Sequence, residues 1–202
     1  MSAIAAIQKK MVQPKTYTLE EYLHREERSI TKNEFYNGQI IPMAGAKYNH
    51  NLIASNMVRF LGNEVENLEQ TYLVLNSDQK VYIEAENTAV YPDALVICEK
   101  PKFWQGREDL ITNPIVIIEV LSKSTRKYDL KDKFSLYQLI PSFKEYITIE
   151  PNKIHVQAWF MQDEETWKVS KATDLTQVIH LRSLNIDINL SDIYRRVEFD
   201  KI

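Results

Sequence analysis

The residues of this chain best suited to chemistry are two carboxylates and a lysine. Glu119 interrupts Pro-Ile-Val-Ile-Ile-Glu-Val-Leu-Ser, residues 114–122, an otherwise apolar and β-branched run opened by proline. Such a run reads as a strand buried on both faces. A carboxylate inside it is costly unless a cation, a hydrogen-bonded partner or a proton meets it. Asp93 stands in Tyr-Pro-Asp-Ala-Leu-Val-Ile, residues 91–97, at the entry to a second apolar run. After Ser122, the residues Leu130, Phe134, Tyr137 and Ile140 recur at helical spacing. At about 100° per residue, Lys133 falls inside that stripe, while Lys131 and Asp132 fall outside it. Two carboxylates at strand ends and one inward lysine suit a divalent-metal hydrolase. Magnesium takes one or two protein carboxylates and completes its octahedron with water. A bound ion can then activate water and stabilise phosphoryl charge. On the residues alone a second arrangement stands equally open. In it Glu119 pairs with a buried lysine, Asp93 caps a turn, and Lys133 snorkels to solvent.

The elements that would position these groups follow from pattern. Thr18-Leu19-Glu20-Glu21 is a capping box opening a helix to about Arg28. Asn33–Tyr36 and Gln39–Ile41, joined by Asn37-Gly38, predict a hairpin. A helix from about Asn49 to Leu68 is expected from Ile53, Met57, Phe60, Leu61 and Leu68 on one face, with His50 at its start. Strands are expected at Leu73–Leu75 and Lys80–Glu84 around an Asn76-Ser77-Asp78 turn, and at Leu95–Cys98 and Ile115–Leu121. Glu99–Asn113 reads as a polar loop, and the Lys133 helix should end near Pro141. Further strands are expected at Glu145–Glu150, Lys153–Phe160, Trp167–Lys171 and Ile186–Leu190, with a terminal turn at Ser191–Tyr194. The order predicts an α/β (α+β) fold, with a mixed β-sheet flanked by helices. Residues 1–15 read as a tail and 16–202 as one domain.

Composition narrows the function classes. A length of 202 residues suits one domain, and 44% hydrophobic with 26% charged residues is the balance of a soluble globular protein. The single cysteine, Cys98, permits no disulfide within the chain, which fits a reducing, cytoplasmic setting. No apolar run reaches membrane-spanning length, so no membrane partner is expected. Small apolar residues precede the first lysines, the reverse of a secretory signal. A net charge of −3 argues against a bulk nucleic-acid coat protein. It leaves room for a local basic strip of Lys123, Arg126, Lys127, Lys131 and Lys133, interrupted only by Asp129 and Asp132. No serine–histidine motif, glycine-rich phosphate loop or cysteine–histidine zinc pattern is present.

Taken together, Asp93, Glu119 in Glu-Val-Leu-Ser, Ser124-Thr125-Arg126, Asp129, Lys133 and Tyr137 resemble the Uma2 family of endonucleases, in the PD-(D/E)xK, restriction-endonuclease-like superfamily. The resemblance takes in Glu34, Asn37-Gly38 and His50 upstream, and Ile140-Pro141-Ser142 and Glu145-Tyr146 downstream. It implies a restriction-endonuclease-like core with appended hairpins. It also implies Mg2+, with Mn2+ as substitute, held by Asp93, Glu119 and the backbone carbonyl of Val120. The superfamily lysine stands two residues after the glutamate, a place held here by Leu121; the resemblance moves it to Lys133 on the following helix. Glu34 becomes an additional acidic residue of the site, and His50 a group that contacts phosphate or positions water. Tyr137 reads as packing. The implied activity is hydrolysis of DNA phosphodiester bonds by metal-activated water, with two copies of the chain forming a homodimer on a duplex. A non-catalytic nucleic-acid or protein interaction module on the same fold stays open, as does a phosphodiesterase acting on RNA or a small nucleotide.

Overall fold

The computed structural model of the protein describes residues 15–122, 126–163 and 166–199. Most of the expected tail, residues 1–14, lies outside them. The described chain opens with α1 (Leu19–Glu26), whose capping box is complete. Thr18 Oγ1 accepts the Glu21 N–H at 3.1 Å, and the Glu21 carboxylate accepts the Thr18 N–H at 2.9 Å. β1 (Asn33–Tyr36) and β2 (Gln39–Pro42) form the expected hairpin. Asn37 and Gly38 have φ of 41° and 95°, the positive values that a type I′ turn demands at both central positions. Then come α2 (Tyr48–Val65), β3 (Tyr72–Asn76), β4 (Lys80–Ile83), β5 (Thr88–Val90), β6 (Ala94–Cys98), β7 (Phe103–Trp104), β8 (Arg107–Ile111) and β9 (Pro114–Val120). The helical segment that follows is α3 (Arg126–Tyr128), a π-helical turn over Asp129–Lys133, and α4 (Phe134–Tyr137). β10 (Glu145–Ile149), β11 (Val156–Met161), β12 (Trp167–Ala172), β13 (Val178–Leu181), β14 (Ile186–Asn189) and α5 (Leu190–Ile193) complete it.

The strands assemble into two six-stranded mixed sheets and a ribbon. The first sheet runs β2-β1-β5-β4-β8-β7, with β4 and β8 parallel. The second runs β12-β11-β10-β9-β6-β3, with β9 and β10 parallel. β13 and β14 form the ribbon. Side-chain alternation sets the layers. Val116, Ile118 and Val120 of β9 pack with Ile53, Met57 and Leu61 of α2, in a cluster that also takes in the ribbon and α5. Ile117 points the other way, joining Leu95, Ile97 and Tyr146 against Val81, Ile83 and Ile111 of the first sheet and Tyr137 of α4. The far face of the first sheet packs Phe35, Ala89 and Leu110 on Leu19, Tyr22 and Leu23 of α1. Glu119 has the parity of Ile117, so it enters the layer between the two sheets.

The fold expected from the residue pattern is present, with these differences. There are two sheets where one was expected. The Asn76-Ser77-Asp78 turn does not close a hairpin; it carries the chain from β3 in one sheet to β4 in the other. Glu99–Asn113, expected as a loop, holds β7 and β8. Their two-residue turn is Gln105-Gly106, with φ of 47° and 78°. Glutamine tolerates that region poorly, so the pair carries little turn signal. β5 and β13 were not expected, each being short. The Lys133 helix contains a π-turn, which inserts one residue and brings Asp129 and Lys133 inward together.

Candidate active site

β9 places Glu119, β6 places Asp93, β1 places Glu34, α2 places His50, and the π-turn places Lys133. The β6–β9 ladder pairs Ala94 with Ile118 and Leu95 with Ile117; carried on by one residue, that register sets Asp93 opposite Glu119. Asp93 Oδ2 accepts the backbone N–H of Val120 at 2.7 Å, which fixes the carboxylate beside the end of β9. From the α2 side, His50 Nε2 lies 3.3 Å from the same oxygen. Burial pulls the His50 pKa down, but the hydrogen bond and charge of Asp93 more than offset this, with help from the Val120 backbone, and the net shift is upward.

Lys133 Nζ stands 3.1 Å from Glu119 Oε1 and 3.1 Å from Glu34 Oε1, so it bridges the two sheets. Tyr137 donates its hydroxyl to Glu119 Oε1 at 2.9 Å. Tyr36 donates its own to Glu34 Oε2 at 2.5 Å, and the Tyr91 N–H reaches Glu34 Oε1 at 3.2 Å. Asp93, Glu119 and Lys133, singled out from the residue pattern, therefore meet in one place together with Glu34 and His50. The snorkelling alternative for Lys133 does not hold: its side chain is 5% exposed and its ammonium faces two carboxylates. Burial pushes the Lys133 pKa down, yet Glu119 and Glu34 outweigh it and hold the amine charged. Glu119 moves upward: burial is the main cause, and Asp93, Asp129 and Glu34 add to it against the pull of Lys133.

That surplus of acid bears on whether a cation suits the site. Among the described residues, no three His, Cys, Asp or Glu side chains form a ready-made cage. The donors present are two carboxylates across one ladder and the Val120 carbonyl beside them. All are hard oxygens, the partial shell that Mg2+ completes with water and phosphate. The neighbouring acids that add to the rise of Glu119 are a negative field that a divalent cation would relieve, so the residues fit such an ion. Asp93 is the more open carboxylate at 17% exposure, against 5% for Glu119, so access is from the Asp93 side. Two other surface clefts, one beside α1 and one at the opposite end of β6, are lined by none of these residues.

The chain is similar to known proteins of one family. The Uma2 family model, described as "Putative restriction endonuclease", matches residues 19–191. The chain belongs to the Uma2 family. It is 37% identical over 157 residues to the uncharacterized protein sll1609 of Synechocystis sp., covering 78% of this chain and 88% of that one. It is 30% identical over 182 residues to the uncharacterized protein slr1290 of the same organism, covering 89% and 92%. A crystal structure titled a putative nuclease belonging to DUF820, from Anabaena variabilis, superposes with a TM-score of 0.67. It covers 88% of this chain and 97% of that chain at 16% identity, a likeness of fold. This Uma2 chain thus has a nuclease-like fold, and no described helix is long and apolar enough to cross a membrane.

Several residues around the candidate site differ from their expected roles. The Tyr137 ring packs as expected, but its hydroxyl is also a donor to Glu119. Asp129, named in the resemblance without a role of its own, is buried, and its backbone carbonyl accepts the Tyr146 hydroxyl at 2.8 Å. Its position four residues before Lys133 was the available signal. Thr148, paired with Glu119 across β9–β10, carries a buried hydroxyl without a partner among the described residues, and nothing in its own sequence context marks it. The basic strip shrinks. Lys133 is internal, and Arg126 is ion-paired with the buried Glu150. Lys131 is exposed. Lys123, Ser124 and Thr125, and the side chain of Lys127, lie outside the described residues.

Proposed function

We propose that this chain is a Mg2+-dependent endonuclease that hydrolyses DNA phosphodiester bonds, with Mn2+ able to substitute. The observation that carries this reading is the meeting of Asp93, Glu119 and Lys133 at the ends of β6 and β9. Asp93, Glu119 and the Val120 carbonyl would hold the ion. Bound there, it would supply an activated water and charge stabilisation at phosphate. His50 and the Val120 N–H fix Asp93, so the open carboxylate is oriented before any ligand arrives. Lys133 carries a positive charge in a water-poor layer, where such a charge acts strongly on a developing negative phosphate oxygen. Tyr137 holds one oxygen of Glu119 and so limits its rotation. The family description supports a nuclease, and two strands in a duplex support action by a pair of chains related by two-fold symmetry.

The test is cleavage of supercoiled plasmid by purified protein with Mg2+ or Mn2+, beside an EDTA control and parallel arms of RNA and mononucleotide esters. Nicking that needs metal and disappears in Asp93→Asn is expected. Cleavage of RNA or the esters alone would move the substrate class. Inertness on all of them, with DNA still bound, would favour a non-catalytic module.

A further inference from the structure

Lys133 has two carboxylate neighbours, and the protein holds them differently. Glu34 Oε1 faces Lys133 Nζ at 3.1 Å and accepts the Tyr91 N–H at 3.2 Å, while its Oε2 accepts the Tyr36 hydroxyl at 2.5 Å. Both oxygens are occupied, in a side chain 10% exposed. On Glu119 the two donors, Lys133 and Tyr137, converge on Oε1. Position separates the two acids as well. Asp93, Glu119 and Val120 line up across the β6–β9 ladder of the second sheet, whereas Glu34 belongs to β1 in the first. A carboxylate has about four lone-pair directions. In Glu34 three are taken by fixed groups of the protein.

We infer that Glu34 is a positioning residue for Lys133 rather than a metal ligand. It is the anion that keeps the ammonium in place when Glu119 turns its charge to a cation. A buried ammonium left without a counter-charge is strongly disfavoured, so a lysine paired with Glu119 alone would lose its anchor on metal binding. The inference rests on the metal-nuclease reading for what Lys133 does next. The tether itself can be measured without metal or substrate.

Glu34→Gln keeps the shape and removes the charge. In EDTA, reaction of Lys133 with an amine-directed reagent, followed by peptide mass spectrometry, should run several-fold faster than in the parent. Lys80, held by Asp109 at 3.0 Å, should react at the parental rate and so reports an intact fold. Mn2+ affinity by calorimetry should be unchanged. Single-turnover cleavage should slow by about tenfold or more with KM retained, a smaller loss than deleting Lys133 itself. Mn2+ affinity falling as far as in Asp93→Asn would make Glu34 a ligand and overturn the inference, as would an unchanged Lys133 reaction rate. If Glu34→Gln does not fold, Tyr36→Phe removes one of the three donors to Glu34 and should give the same pattern more weakly. A parent that fails to cleave DNA would sink the nuclease reading, while the labelling would still decide the tether.

Discussion

Lys133 Nζ lies 3.1 Å from Glu119 Oε1, in a pair whose side chains are each 5% exposed. That pair explains how an apolar strand tolerates a carboxylate. It also means that the charge most useful to chemistry is part of the protein's own internal balance. A mutation at either residue is felt twice, in the reaction and in the fold.

Lys133→Met shows this. The substitution fits the stripe but leaves Glu34 and Glu119 facing each other without a cation. Breaking a buried pair typically costs about 3–5 kcal/mol, so the denaturant midpoint should fall clearly. Cleavage should drop by about 10²–10³. Adding Glu119→Gln should recover part of the stability and none of the activity. Lys131→Met, on the exposed face, should leave stability within about 0.5 kcal/mol of the parent. Equal cleavage by Lys133→Met and the parent would remove Lys133 from the mechanism.

The pH dependence of metal-free stability should have a definite sign. Burial raises Glu119 above its ordinary 4.5, and Asp93 outweighs burial to raise His50 above 6.5. Each group binds its proton more tightly folded than unfolded. Its contribution is therefore full below the unfolded value and is lost as pH rises through the folded one. Lys133, raised above 10.5, stays charged throughout and adds no slope. Chemical denaturation in EDTA should show stability declining as pH rises above the ordinary values of the two groups. Glu119→Gln and His50→Gln should each flatten the curve; a parental slope in both would refute the assignment.

Metal binding should report the same proton. A cation entering beside Glu119 disfavours the protonated carboxyl, so Mg2+ affinity measured by titration calorimetry should rise with pH. Binding should be weak in the free protein, because the shell is incomplete until phosphate joins it. Asp93→Ala should abolish it, and Ca2+ should bind without supporting cleavage. Undiminished Mg2+ affinity in Asp93→Ala would rule out the ligand set.

Assembly is a separate expectation. Each chain offers one candidate site and a duplex has two strands, so a two-fold pair is the economical arrangement. Light scattering at micromolar concentration should give twice the chain mass; a monomer mass there, unchanged by DNA, counts against it.

Much of the site was legible because its members violate local rules. Glu119 breaks an apolar run, and Lys133 sits in an apolar stripe. The hydroxyls of Tyr36 and Tyr137 were not, because aromatic residues on buried faces obey those rules and their partners lie on other elements. Asp129 was legible only as a member of the resemblance, because an acid four residues before a lysine is equally the pattern of an exposed ion pair. The fold was legible where periodicity is strong, as in β9 and α2. It failed at β7–β8, where the turn residues are atypical and the strands short, and in the division into two sheets, since a turn between strands does not say whether they pair.

The Asn37-Gly38 turn carries a consequence beyond its own loop. It sets the pairing of β1 with β2, and β1 alternates Glu34, Phe35 and Tyr36 between two faces. A slip of one residue exchanges the faces. The acid and phenol would then turn towards α1, and a phenyl ring would meet the ammonium of Lys133. The polarity of the candidate centre is thus set from a distance by two residues with no functional group in it. A screen that looks only at charged positions would pass over them.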